Sequence, residues 1–238
     1  MARRLFFVPG VRGGVAELRG EEAKHLTKVL RVERGQRYEI SDNEGLYLAE
    51  VEEAHKEAVK FRVRETLAAA PEPVRLILGM ALVKFDKLEW VLEKATELGV
   101  SEIRLFDSDR TEAGLEKAAP KRIERWQRIL LESSQQARRP RLPELRPPVG
   151  LKQLLTLEAG QRWFLDESRE GAILQAGAKA ESIAMLVGPE GGFTERERES
   201  IVAAGWQPVS MGPLILRAET AAIAALAVLR SGILGAEQ

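Results

Sequence analysis

The chain has no cysteine and only two histidines, His25 and His55, among its 238 residues. Disulfides and cysteine-ligated zinc or iron–sulfur centres are thereby excluded, and no catalytic metal is expected. Net charge is absent as well, with 36 basic side chains against 36 acidic ones. Long hydrophobic runs are also missing. The apolar opening at 5–8 stops at Pro9, too soon for a signal-peptide core, and the run at 221–229 falls far short of the ~20 residues that span a bilayer. A cytoplasmic protein without a membrane partner is the expectation. The length is sufficient for a sizeable core in one large or two small domains.

What the chain does have is a pair of glycine-bearing corners near its C-terminus: Gly188-Pro189-Glu190-Gly191-Gly192, and Gly212-Pro213 leading into Leu216, Arg217, Ala218, Glu219 and Thr220. Each follows a short apolar run, at 183–187 and at 209–211, and each leads into a helix. Thr194 and Glu197 have the spacing of a capping box, and Gly205 supplies the helix stop. Two strand-loop-helix corners side by side form a crevice at the carboxyl ends of strands, where open α/β folds bind ligands. Neither G-x-x-x-x-G-K-[ST] nor G-x-G-x-x-G occurs there, and Glu190 would repel a phosphate. The glycines instead suit close backbone approach to a flat or sulfonium-bearing ligand. The plainer reading of one such loop is a tight turn; the pairing of two favours a ligand site.

The neutral total conceals an uneven distribution. Arg3, Arg4, Arg12, Arg19, Lys24, Lys28, Arg31, Arg34 and Arg37 outnumber the acids of the first stretch, and Lys121 to Arg146 holds a second basic cluster that includes Arg138 and Arg139. Such patches neutralise phosphates in some proteins and form solvated ion-pair networks in others.

Residues 1–67 read mostly as strands, at 5–8, 15–18, 37–41, 46–52 and 59–63, with a hairpin turn at Asp42-Asn43-Glu44-Gly45. One helix at 21–30 interrupts them, with Ala23, Leu26, Val29 and Leu30 on one face. This is a small β-barrel pattern, closed off by a linker around 68–73. Strand and helix then alternate: strands at 75–83, 103–106, 162–165, 183–187 and 208–211, and helices at 86–98 and 120–137. Alternation of this kind predicts an α/β domain with a mostly parallel sheet covered on both faces. Trp90 and Trp126 are expected in its core. The domains are accordingly expected at 1–70 and 71–238.

Residues 186–194, Leu-Val-Gly-Pro-Glu-Gly-Gly-Phe-Thr, and 211–221, Met-Gly-Pro-Leu-Ile-Leu-Arg-Ala-Glu-Thr-Ala, together resemble the signature pair of the bacterial 16S rRNA uracil-N3 methyltransferases of the SPOUT superfamily. Lys94 to Val100 is similar to that family's K-A-T-E-L-G-V helix end, and Glu132, Gln136 and Arg139 to its E-A-x-x-Q-x-x-R helix. Asp109-Arg110-Thr111 and the stretch from His25 to Arg31 fit as well. Ala218 stands where a threonine is usual, and Ser133 and Ser134 stand where alanines are.

The resemblance implies a PUA-like RNA-binding domain at 1–70 and a SPOUT methyltransferase domain at 71–238, with a trefoil knot at about 183–225. It also implies S-adenosylmethionine as methyl donor, 16S rRNA or the small ribosomal subunit as partner, and a homodimer. Leu186, Gly188, Pro189, Glu190, Gly191, Met211, Gly212, Leu216 and Thr220 are then the expected cofactor lining, with Glu190 either meeting a ribose hydroxyl or capping its own loop. Methylation of a uridine N3 requires loss of the imide proton and stabilisation of charge on O2 and O4. Arg217 is the expected holder of that charge, and Glu219 either accepts the proton or orients Arg217. Arg3, Arg4, Lys28, Arg31 and Arg139 are the expected RNA contacts, with Lys28 and Arg31 one helical turn apart, and His25 is expected to be partly buried. A ribose 2′-O-methyltransferase of the same superfamily acting on rRNA or tRNA, and a non-catalytic RNA-binding assembly protein, remain as other readings.

Overall fold

The computed structural model describes residues 4–70, 72–167, 172–175 and 180–235. The chain divides into two compact units, one of Met1–Pro71 with Ser134–Leu142, the other of Glu72–Ser133 with Pro143–Gln238. Arg3, one of the expected RNA contacts, lies outside the described residues.

The first unit holds β1 (Leu5–Phe7), β2 (Val15–Arg19), α1 (Gly20–Lys28), β3 (Arg37–Ser41), β4 (Leu46–His55) and β5 (Ala58–Leu67). The strands form a single sheet in the order β1-β3-β4-β5-β2, antiparallel except for the parallel pair β1 and β3. Alternate residues of every strand, among them Phe6, Leu18, Ile40, Val51 and Phe61, meet Ala23 and Leu26 of α1 in one core. Register shifts in the β4–β5 pairing at Leu48/Ala49 and Val51/Glu53 let the sheet curl, because each extra residue bends its strand. The expected barrel is thus a curled sheet: β1 and β2, at its edges, do not pair with each other among the described residues. Residues 134–142 attach through Ser41 Oγ, which donates to the Pro140 carbonyl at 2.6 Å, and through Leu142 N, which donates to Asn43 Oδ1 at 2.7 Å.

The second unit holds β6 (Arg75–Ala81), α2 (Phe85–Glu97), β7 (Glu102–Asp107), α3 (Leu115–Ala118), a 3₁₀ turn at Ala119–Arg122 and α4 (Ile123–Gln136), whose last residues belong to the first unit. There follow β8 (Glu144–Gly150), α5 (Leu151–Leu154), β9 (Gln161–Leu165), β10 (Ala172–Ile173), β11 (Ser182–Val187), α6 (Glu195–Ala203), β12 (Gln207–Ser210) and α7 (Ala218–Gly235). Seven strands run parallel in the order β10-β12-β9-β11-β6-β7-β8. Period-two alternation sends Leu76, Leu78, Met80, Ile183, Met185 and Val187 to the face covered by α2, α4 and α7, and Ile77, Ala81, Ala184 and Leu186 to the face covered by α5 and α6. With both faces buried, the strands read as continuous apolar runs.

Several expectations are corrected. Trp126 is fully buried, but Trp90 is 47% exposed, because Leu88, Val91, Leu92 and Ala95 already supply the buried face of α2. Val29 is 64% exposed because α1 stops at Lys28 and Val29 is its C-cap. Arg31 lies beyond that end with a φ of 51°, so Lys28 and Arg31 do not share a helical face. His25 is exposed rather than partly buried. Strand β8, which the alternation did not include, carries Pro147 and Pro148; prolines cannot donate to a ladder, and β8 is an edge strand with a register shift opposite β7.

Candidate functional site

At the carboxyl ends of β9, β11 and β12 the second unit opens into a cleft of about 790 Å³, solvent mouth included. Its walls come from Leu165, Asp166 and Glu167 after β9, Val187 to Glu190 with Gly192 and Phe193 after β11, and Ser210 to Leu216 after β12; Arg198, Ala218 and Ala221 complete it. The two glycine corners therefore do converge on one concavity. Gly188, Pro189, Glu190, Met211, Gly212 and Leu216 line it together.

The remaining expected residues do not line it directly. Leu186 is fully buried on the α5–α6 face of the sheet. Gly191 is exposed, and its carbonyl accepts a hydrogen bond from Arg110 Nη1 at 2.6 Å. Thr220 is exposed in the first turn of α7. Arg217, also exposed, immediately precedes α7, and its carbonyl accepts from Ala221 N at 2.8 Å. Glu219 is only 5% exposed, and its Oε2 accepts no hydrogen bond among the described residues.

Local chemistry explains how each corner is held. Gly188 is required by packing: a Cβ there would lie 3.0 Å from the Phe193 ring, which is wedged between Phe106 and Phe164. Gly212 is required by conformation, since its φ is +106°; a Cβ there would meet no atom within 4 Å. The helix after the first corner starts with the predicted capping box: Glu197 N donates to Thr194 Oγ1 at 3.3 Å, and Thr194 N donates to Glu197 Oε2 at 2.8 Å. Glu197 reaches further than a cap. Its Oε1 accepts from Ser108 Oγ at 2.7 Å and Asp109 N at 2.8 Å, tying the loop after β7 to the first corner.

Charge around the site centres on a residue that sequence reasoning missed. Lys87, in the first turn of α2, donates to Glu190 Oε1 at 2.5 Å and stands 3.9 Å from Glu219 Oε1. The bond to Glu190 holds its ammonium above the ordinary lysine range; partial burial and the charge of Arg217 oppose this, and Glu219 reinforces it. Glu190 thus binds a cation on α2, rather than capping its own loop. Arg198 is the second missed residue: Nη1 lies 2.7 Å from Asp166 and Nη2 3.5 Å from Glu167, fixing the third wall of the cleft. The signal for that wall was present, because Asp166 and Glu167 follow a strand as the glycine corners do.

In the first unit, Arg4, Lys28, Arg31 and Arg34 are exposed and make no ion pair among the described residues. Arg139 differs from them in being buried. Much of the second basic cluster is already paired: Arg125 with Glu89, Arg128 with Glu132, Arg138 with Glu39, and Arg146 with Glu102 and Glu144. Among the described residues no group of His, Cys, Asp and Glu side chains is arranged to hold a metal ion, and no helix is long and apolar enough to cross a membrane.

Comparison with known proteins agrees with this architecture. The RNA methyltransferase domain family matches residues 70–230, and the RNA methyltransferase PUA domain family matches residues 18–64. The ribosomal RNA small subunit methyltransferase E of Aquifex aeolicus is 30% identical, covering 94% of this chain and 98% of the relative. That of Bacillus subtilis is 31% identical, over 88% and 87% of the two chains. The crystal structure of ribosomal RNA small subunit methyltransferase E from Neisseria gonorrhoeae, bound to S-adenosyl methionine, superposes with a TM-score of 0.88 at 27% identity, covering 97% of this chain and 98% of that one. With its curled PUA-like sheet, its parallel α/β unit and the cleft between two glycine corners, the chain belongs to the ribosomal RNA small subunit methyltransferase E family.

Proposed function

We propose that the protein transfers a methyl group from S-adenosylmethionine to N3 of a uridine in the 16S rRNA of the small ribosomal subunit, acting as a cytoplasmic homodimer. The observation that carries this reading is the convergence of both glycine corners on one cleft, in a family whose Neisseria gonorrhoeae member was solved with S-adenosyl methionine bound. The cleft suits such a donor. Val187, Met211, Leu216 and Ala221 offer apolar surface for a flat base, Asp166, Glu167 and Glu190 bring carboxylates to a positive centre, and the space beside Gly212 is open to a ligand. The donor, when bound, supplies an electrophilic methyl group on a sulfonium.

The protein's own groups have three tasks. The peptide groups of Gly188, Glu190, Met211 and Gly212 hold the donor from the two corners, leaving little freedom in its orientation. Arg217, at the positive end of α7, stabilises the charge that spreads onto O2 and O4 of the uracil as the N3 proton leaves. Glu219 accepts that proton. Its unbonded Oε2, and the lack of an ion pair between it and Arg217 among the described residues, favour this role over orienting Arg217.

Residues 1–70 serve in this reading as the RNA-binding domain, with Arg4, Lys28 and Arg31 on phosphates. Residues 71–238 carry the chemistry, with the segment at about 183–225 threaded as a trefoil knot. Support for the threading is the sheet order, in which β12 joins beyond β9 on the side away from β11.

The deciding experiment incubates the protein with labelled S-adenosylmethionine and small-subunit rRNA, naked and in assembled subunits, followed by nuclease digestion and mass spectrometry. Formation of 3-methyluridine is expected. A ribose-methylated nucleoside, or no transfer to either substrate, overturns the reading. Light scattering should give twice the chain mass; a monomer that remains active refutes the dimer.

A further inference from the structure

Lys87 does not line the cleft, yet among the described residues it is the one side chain in contact with a carboxylate from each corner. Glu190 belongs to the first corner, and Glu219 opens α7 directly after the second. Apart from Lys87, neither carboxylate has an ion-pair partner among the described residues. A carboxylate as buried as Glu219, with one oxygen unbonded, is costly without a nearby counter-charge. Lys87 supplies that charge from α2, whose buried face is locked into the core by Leu88, Val91 and Leu92. The ammonium is therefore a fixed point against which two corners, each more than a hundred residues further along the chain, are set. Lysine suits the position, since a compact ammonium with three donors serves two carboxylates that approach from different sides.

We propose that Lys87 is a positioning residue for methyl transfer: by holding Glu190 and Glu219 to one ammonium it sets the spacing of the two corners, so that donor affinity and turnover both depend on it. This rests on the cleft being the donor site. Lys87 acts through the two carboxylates and touches neither donor nor uracil.

The test is Lys87→Met, which keeps the length and apolar stem and removes the charge. Calorimetry without RNA should show S-adenosylmethionine binding weakened about tenfold. The kcat should fall by about 10- to 100-fold, the scale of a misplaced reactive group, while the KM for RNA stays within about twofold. Lys87→Arg should recover most of both losses. Circular dichroism verifies the fold; if the Met variant does not fold, Lys87→Gln takes its place, and Glu190→Gln, which frees the first corner alone, should weaken donor binding by less. A folded neutral variant with unchanged donor affinity and kcat overturns the proposal. A raised RNA KM with unchanged donor affinity also overturns it, making Lys87 a phosphate contact. Wild-type protein that binds no donor or forms no 3-methyluridine refutes the reading of the cleft instead, and does so before any variant is made.

Discussion

Replacing Glu197 with alanine removes a single carboxylate and releases two backbone donors and two hydroxyls. The side chain is 6% exposed and accepts from Ser108 Oγ, Asp109 N, Thr194 N and Thr194 Oγ1 at 2.7, 2.8, 2.8 and 3.0 Å. Hydrogen bonds to a charged group contribute about 1.5–3 kcal/mol each, but the two hydroxyls can rotate to other acceptors, so a simple sum overshoots. The N–H groups of Asp109 and Thr194 cannot turn, and each left unsatisfied costs about 1–3 kcal/mol. With part of the ~1 kcal/mol of a helix cap added, the expected loss is about 3–4 kcal/mol. Because two units preclude a single global transition, hydrogen exchange is the suitable assay, read at the amides of α6 and of the loop after β7. Protection there should fall by roughly 100-fold or more, at a factor of ten per ~1.4 kcal/mol. A change below about threefold would refute the bookkeeping. Acidity gives an independent check. Burial pushes the Glu197 carboxyl up, but the hydrogen bonds from Asp109, Thr194 and Ser108 outweigh it and hold the group below the ordinary glutamate range. A depressed carboxyl stabilises fully above its unfolded pKa and loses that contribution as pH falls through the folded value. The difference between wild type and variant should therefore be constant near neutrality and fade in acid; a difference that widens on acidification contradicts the assignment.

Arg217→Ala should leave hydrogen-exchange protection in α7 nearly unchanged, since the side chain is exposed, and slow single-turnover methyl transfer on the order of 10²-fold, as loss of one charge-stabilising donor does. An unaltered rate removes Arg217 from the chemistry. Joint replacement of Lys28 and Arg31 by alanine should weaken RNA binding and lower the salt slope by roughly one to two phosphate contacts, seen in filter binding across a salt series. An unaltered slope moves the footprint elsewhere. Gly188→Ala presses a methyl against the Phe193 ring, which Phe106 and Phe164 prevent from yielding; it should cost about 1–3 kcal/mol, read as lost hydrogen-exchange protection around β11 and α6, and weaken donor binding. Full stability and affinity in that variant would show that the ring moves aside.

The parts of the fold legible in the sequence were those determined by near neighbours. Thr194-x-x-Glu197, the stop at Gly205 and the hairpin at Asp42 to Gly45 are each decided within a few residues, and all three are present in the structure. The second task of Glu197 was illegible because Ser108 and Asp109 lie nearly ninety residues away. Lys87 was overlooked for a similar reason. On a helix whose polar face reads as solvated, nothing local marks the one cation that meets carboxylates more than a hundred residues further on. Trp90 shows the opposite error: it was read onto the apolar face of its helix, but a helix has only one buried stripe, and that of α2 was already filled. The basic clusters show why charge runs mislead. Arg125, Arg128 and Arg138 look available in sequence and are each committed to a glutamate.

The order of the parallel sheet also bears on how the protein is made. Strand β6 pairs with β11, whose partner residues follow it by more than a hundred positions, and β9 is enclosed between β11 and β12. Closing loops of that length costs entropy before any contact repays it, and sheets built from such remote pairings form slowly. The cleft needs β9, β11 and β12 in register, so it is among the last features to be completed. During refolding, helical signal should return first and donor binding last, and for that interval the chain has its helices but cannot act.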